Sequence, residues 1–292
     1  MSAGAAPMPG LSTLLRLGRI SNLPTVWTNV LAGSVIAGGA AHSKGIGLIA
    51  IAMTAFYVGG MYLNDFFDRE IDARDRPGRP IDAGEIGANA VMLIGFGLLA
   101  AGVALMIAFG SGAIVCGLLL TGVIVLYDIW HKGNVLSPVV MGSCRALVYI
   151  GSGVAIAGGL SSAIVIAAVA LACHVAGIAY AAKEESLDQV GNFWPLGLLA
   201  VPLLVALPVV FDGWITVAAC VLLLTADTAA IRLLVMRPSP GAVQLAVSGL
   251  IAAICLVDAL AIAAAGGSIM VVAICVLGYP LTRLFQKSIP GT

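Results

Sequence analysis

IGLIAIAMTAFYVGGMYLNDFFDREIDARDRPGR, residues 46–79, changes character at Asn64. From Ile46 to Leu63 there is no charge, and with the next two residues the run reaches the ~20 needed to cross a bilayer as an α-helix. The sixteen residues from Asn64 to Arg79 then hold nine of the chain's 28 charged side chains. The stretch therefore reads as a membrane-spanning helix that ends in a crowded acidic and basic mouth.

The rest of the chain repeats the apolar half of this pattern. It is 61% hydrophobic and 10% charged, with a mean hydropathy of +1.09. Apolar spans are read at about 22–41, 46–65, 90–109, 111–127, 136–157, 161–182, 195–211, 214–234, 243–264 and 268–285. Backbone polar groups in lipid must be satisfied within their own segment, and none of these runs alternates as a barrel strand would. The expected fold is an all-α polytopic membrane protein. It has nine to ten transmembrane helices in a bundle around a central cavity, and one domain over residues 1–292. The opening MSAGAAPMPG has no basic n-region before an apolar core, and residues 1–12 are expected to lack order. Zero net charge gives no reason to expect a nucleic-acid partner. The six cysteines all lie in apolar segments and read as small hydrophobes.

Basic residues mark the cytoplasmic side of a membrane protein. Arg16 and Arg19 precede the first span. Arg69, Arg74, Arg76 and Arg79 follow the second, Lys132 the fourth and Lys183 the sixth, and Arg283 and Lys287 close the chain. Ten spans put all of these on one face, with Lys44 opposite. The acidic mouth is thus expected to face the cytoplasm, in the inner membrane of a bacterium.

Asp65, Asp68 and Asp72 stand at i, i+3 and i+7, with Asn64 at i−4 from Asp68. On a helix they share one face. Three like charges there repel unless something positive sits among them. An oxygen-rich set of this kind suits Mg²⁺, which binds through one or two carboxylates plus substrate phosphates. A solvated helix end would explain the charge, but not three aspartates on one face after an asparagine. Arg76 and Arg79, in DRPGRPIDAGEI, add forked donors suited to phosphate oxygens.

N-D-x-x-D-x-x-x-D followed by Arg-Pro-Ile resembles the first aspartate-rich motif of the UbiA superfamily of intramembrane prenyltransferases, and Asn64, Asp65, Asp68 and Asp72 fill its positions. LLRLGRISNLPTVWTNVLAG (14–33) is similar to the family's N-terminal segment. The resemblance implies a second aspartate motif, D-x-x-x-D, after the sixth span. Here AYAAKEESLDQVGN offers Glu184 and Asp188 as E-x-x-x-D, crowded by Lys183 and Glu185. It implies that both acidic clusters hold Mg²⁺ bridging the diphosphate of a prenyl donor. The prenyl group then passes to an aromatic or quinone-precursor acceptor, within membrane lipid, with loss of pyrophosphate. Lys132 and Arg145 stand where the family carries diphosphate-contacting cations, and Arg79 joins them.

Tyr127, Asp128 and Lys132 lie in LYDIWHKGN, and Asn22 and Thr25 in SNLPTVW. Asn22 and Thr25 either bond a substrate or cap a helix before Pro24; Tyr127 and Asn22 complete the substrate-binding candidates. Asp227 and Asp258 are intramembrane carboxylates outside any family motif, and helix–helix hydrogen bonding is expected of them; His174 reads as a satisfied core residue. The tenth span exceeds the family's usual nine and suggests a divergent, EboC-like branch. That span and the altered second motif motivate an alternative function, a catalytically degenerate relative that binds or helps to transport a lipid or aromatic metabolite.

Overall fold

The structure, a computed structural model, describes residues 9–39, 45–75, 78–183 and 193–289. Among these there are helices and connecting turns, and no strand. The helices are α1 (Leu11–Leu17), α2 (Leu23–Ile36), α3 (Gly45–Asp75), α4 (Ala88–Met106), α5 (Ser111–Trp130), α6 (Ser137–Ala157), α7 (Ser162–Lys183), α8 (Val201–Ala206), α9 (Trp214–Met236), α10 (Ala242–Ala264) and α11 (Ile269–Phe285). Eight segments are long and apolar enough to cross a membrane, and α2 and α11 are shorter helices in the remaining two expected spans. The ten apolar spans therefore each coincide with a helical segment. α1 begins at Leu11, inside the stretch expected to lack order.

α10 is the hub. Of its most apolar 18 residues 72% are buried, against 50% or fewer in the other seven long segments. It packs against α2, α7, α9 and α11. A helix enclosed by others needs no polar face, and all of its residues from Ala252 to Leu260 are buried. The outer surface instead exposes large apolar side chains such as Leu93, Leu118, Leu204 and Leu277, as a lipid-facing surface should.

The seventh span is built differently. Residues Trp194–Ala200 and Leu207–Asp212 are 3₁₀-helical and flank the six-residue α8. Pro195, Pro202 and Pro208 sit at the start of each piece. Each lacks the N–H that would continue the preceding α-helical ladder, so the span breaks into three.

α6 approaches its neighbours backbone to backbone. A Cβ on Gly142 would lie 2.4 Å from the Ala172 carbonyl oxygen in α7, and one on Gly33 in α2 would lie 2.5 Å from that of Tyr149 in α6. Small residues permit such contact, and no flexible side chain can yield. Gly142→Ala is therefore expected to destabilise the protein by about 1–3 kcal/mol. Gly122→Ala, with open space around it, should cost nothing comparable. Thermal unfolding of the two detergent-solubilised variants checks the contrast.

Candidate active site

α3 continues ten residues past the apolar run, and this overshoot carries the acidic motif as a single helical face. Asn64, Asp65, Asp68 and Asp72 are all buried. Their charge is compensated by side chains from three other segments. Arg79 donates from Nη1 to Asp65 Oδ1 at 2.9 Å, with Nε 3.9 Å from Asp72 Oδ2. Arg19 donates to the same Asp65 oxygen at 3.3 Å. His131 Nε2 and Lys132 Nζ each stand 3.3 Å from Asp68 Oδ2. Burial alone would lower the Arg19 guanidinium, but Asp65 beside it raises its pKa above the ordinary value, so it is a permanent cation. Arg19 holds a left-handed backbone (φ 41°), which brings α1 back over the site before α2 begins.

These groups border a cavity of about 510 Å³. Its polar end is lined by Asn64, Asp68, Asp72, Arg79, Lys132 and Arg145. Apolar side chains line the cavity as well, Val175 and Ile178 of α7 and Val247, Ile251 and Ile254 of α10. Tyr127 stacks on His131 with ring centroids 4.8 Å apart, and both face the cavity. A second, apolar pocket of about 80 Å³ adjoins it and shares Tyr57, Met61, Tyr127, Met141 and Arg145 with it.

Arg145 is fixed from behind. Its Nη1 donates to Asn29 Oδ1 at 2.9 Å and its Nη2 to Thr25 Oγ1 at 3.1 Å. Asn29 in turn donates through Nδ2 to both oxygens of Asp258, at 2.8 and 2.9 Å, and Tyr149 donates to Asp258 at 2.6 Å. An arginine only donates and a carboxylate only accepts, so the Asn29 amide has one workable orientation. The guanidinium also lies 5.6 Å from the Tyr57 ring centre, over its face. The cost of an arginine at this depth is met by a relay through α2 to a carboxylate on α10.

Most of the residues singled out in the sequence converge here. Asn64, Asp68, Asp72, Arg79, Lys132, Arg145, Asn22 and Tyr127 line the cavity. Asp65 stands beside them, bridging Arg19 and Arg79. Arg79, Lys132 and Arg145, expected to meet a diphosphate, are each already bound to groups of the chain itself. Thr25 is used both ways at once: it donates to the Asn22 carbonyl and accepts from Arg145. Asn22 accepts from Gln286, just past α11. Glu184 and Asp188 lie outside the described residues. Asp258 does make the expected helix–helix bonds. Asp227 does not: neither of its oxygens has a hydrogen-bond partner among the described residues, and the nearest donor is His174 Nδ1 at 3.9 Å. His174 is half satisfied, with Nδ1 3.2 Å from the Leu199 carbonyl and Nε2 unpartnered.

Arg19, His131, Tyr57, Asn29 and Asp128 were not among the candidate residues. Arg19 had been read only as a marker of topology, and His131 and Asp128 lie inside LYDIWHKGN beside residues that were chosen. The carboxylates of α3 supply hard oxygen donors around a shared cavity, chemistry that fits Mg²⁺. In the present arrangement their charge is balanced by Arg19, Arg79, His131 and Lys132, and among the described residues no group of three His, Cys, Asp or Glu is close enough to hold a metal.

The profile of the UbiA prenyltransferase family matches residues 25–246. A digeranylgeranylglyceryl phosphate synthase of Methanopyrus kandleri is 30% identical over 136 residues, covering 44% of this chain and 49% of the relative. One of Natronomonas pharaonis is 28% identical over 172 residues, covering 57% and 60%. The chain thus spans about half the length of the curated relatives it matches. Among solved structures, a UbiA homolog from Aeropyrum pernix K1 superposes with a TM-score of 0.64 at 17% identity, over 84% of this chain and 97% of that one. A UbiA homolog from Archaeoglobus fulgidus bound to GPP and Mg²⁺ gives 0.58 at 16%, over 87% and 99%. At such identities the likeness is one of fold.

Proposed function

The chain belongs to the UbiA prenyltransferase family, and on that premise we propose that it is an intramembrane, Mg²⁺-dependent prenyltransferase. The observation that carries this is the cavity itself. Its lining combines carboxylates and cations suited to a metal-bound diphosphate with apolar side chains of α7 and α10 suited to an isoprenoid tail.

Asp65, Asp68 and Asp72 would hold the metal, with Glu184 and Asp188 as the family's second cluster. When bound, Mg²⁺ supplies positive charge that neutralises the diphosphate and makes it a better leaving group. The chain does the rest. Lys132, His131 and Arg79, now paired with the α3 carboxylates, are the donors that would turn to phosphate oxygens of the substrate. Arg145, held in place by Asn29 and Thr25, faces the oxygen that departs as the allylic C–O bond breaks. Val247, Ile251 and Ile254 line the isoprenoid tail and keep water from the allylic cation. The Tyr57 and Tyr127 rings border the region where that cation forms.

The acceptor we assign is a lipophilic molecule with a nucleophilic ring carbon or hydroxyl. A quinone-precursor ring is the class reached from the sequence, and a glyceryl phosphate lipid is the class that the relatives' names indicate. The membrane we assign is a bacterial cytoplasmic membrane, with the acidic motif on its cytoplasmic side. Lys132, Lys183 and Arg79 gather at that end of the bundle, and Lys183 is tied to the Asn134 carbonyl at 2.6 Å.

Purified protein incubated with labelled geranyl diphosphate, Mg²⁺ and acceptors of both classes tests the reading. Pyrophosphate release that needs both metal and one acceptor class is the expected result. Binding of the diphosphate with no turnover across the panel would instead favour a binding or transport protein.

A further inference from the structure

The search for chemistry beyond the diphosphate site leads to Asp128 on α5. It is 4% exposed and lines the smaller pocket. Its Oδ1 accepts from Asn64 Nδ2 at 3.3 Å, while Oδ2 is buried with no hydrogen-bond partner among the described residues. Among the described residues no cation forms an ion pair with it, whereas Asp65 pairs with Arg19 and Arg79, and Asp68 with Lys132 and, when protonated, His131. A buried carboxylate oxygen left without a donor is costly, and such groups call for an explanation.

The way Asp128 is held narrows the explanation. Arg19 donates to Asn64 Oδ1, so the Asn64 amide must turn its NH₂ toward Asp128. One oxygen of Asp128 is thereby engaged, and the other is left for a group that the pocket admits. The partner that fits is a donor: an O–H, or a C–H made acidic by reaction. Asp227 offers a contrast. Both of its oxygens lack a partner among the described residues, but it borders neither of these two cavities.

We propose that Asp128 is the catalytic base that takes the proton from the prenyl acceptor, whose reacting end enters the smaller pocket. The proposal rests on the prenyltransferase reading above. In the step, the allylic C–O bond breaks and its electron pair leaves with pyrophosphate. The acceptor's nucleophilic atom bonds to the allylic carbon, and the proton that atom loses passes to Asp128 Oδ2. The carboxylic acid then returns the proton to water through the main cavity, and the carboxylate is restored. Both acceptor classes lose one proton in this step, so the base serves either; the walls made by Phe56, Leu120, Ile124 and Val148 select for an apolar neighbourhood around it.

The test uses the full chain in detergent with Mg²⁺, geranyl diphosphate, and either 4-hydroxybenzoate or a glyceryl phosphate monoether as acceptor. Asp128→Asn keeps the shape and the Asn64 contact region but cannot accept the proton. Its kcat should fall about 10²-fold or more, the usual worth of a positioned base. Its KM for geranyl diphosphate should not rise, because the variant removes negative charge near an anionic donor. Asp128→Glu should regain a measurable part of the rate, and all three proteins should unfold at similar temperatures. Asp128→Asn turning over within about three-fold of wild type overturns the base assignment alone. So does a parallel collapse of kcat, donor KM and thermal stability that Asp128→Glu does not rescue, since that marks a structural role. Wild-type protein that transfers nothing to either acceptor overturns the prenyltransferase reading, and the base with it.

Discussion

Asp68→Ala is expected to lower prenyl transfer by about 10²–10³-fold, a loss of roughly 3–4 kcal/mol of transition-state stabilisation. The structure also sets the direction of the accompanying change in binding. Asp68 engages His131 and Lys132 through the same oxygen, and its removal leaves both free to face the cavity. Diphosphate affinity should therefore survive, or tighten, while kcat falls. Single-turnover rates alongside donor titrations separate the two quantities. Wild-type kcat in Asp68→Ala would remove this residue from the metal-binding set.

Asp258→Ala is expected to damage the protein at a distance from any substrate. The carboxylate accepts two bonds from Asn29 and one from Tyr149, all buried. Hydrogen bonds between membrane helices are worth ~0.6–1.7 kcal/mol each, and stranding the Asn29 and Tyr149 donors adds to that. A loss of roughly 2–4 kcal/mol should appear as a lowered unfolding midpoint in detergent. The second consequence is functional. Without Asp258, Asn29 is held from one side only, by Arg145 itself, so one of the two anchors of the guanidinium loosens. Activity should fall further than the residual folded fraction explains. Asp258→Asn, which retains an acceptor oxygen, should fall between the two. Full activity in folded Asp258→Ala would break the link from α10 to Arg145.

The bundle was legible because the bilayer leaves few options. Each long apolar run without alternation had to be a helix, and ten such runs became ten helical segments. The acidic face was legible for a related reason: Asn64, Asp65, Asp68 and Asp72 lie within one continuous helix, so their spacing alone fixes their common direction. The partners were not legible. Arg19 reaches Asp65 across 46 positions and Asn29 reaches Asp258 across 229. Such pairs depend on how each helix is rotated about its axis and which helices are neighbours. A uniformly apolar α10 has no polar stripe from which to read its rotation. Asp258 was therefore visible as an isolated polar residue, but not as the far end of the Arg145 support. His131 is a different case. It sits next to Lys132, and the helical end that aims one of them at Asp68 aims both.

The three prolines of residues 194–212 alter how far that span reaches. A 3₁₀-helix rises ~2.0 Å per residue against ~1.5 Å for an α-helix. With thirteen of its nineteen residues in the tighter helix, the segment extends to about 35 Å, where a regular α-helix of the same length would stop near 28 Å. A hydrocarbon core is ~30 Å thick. A run read as only about 17 residues in the sequence thus becomes long enough to cross the core, and stretching the helix takes the place of adding residues.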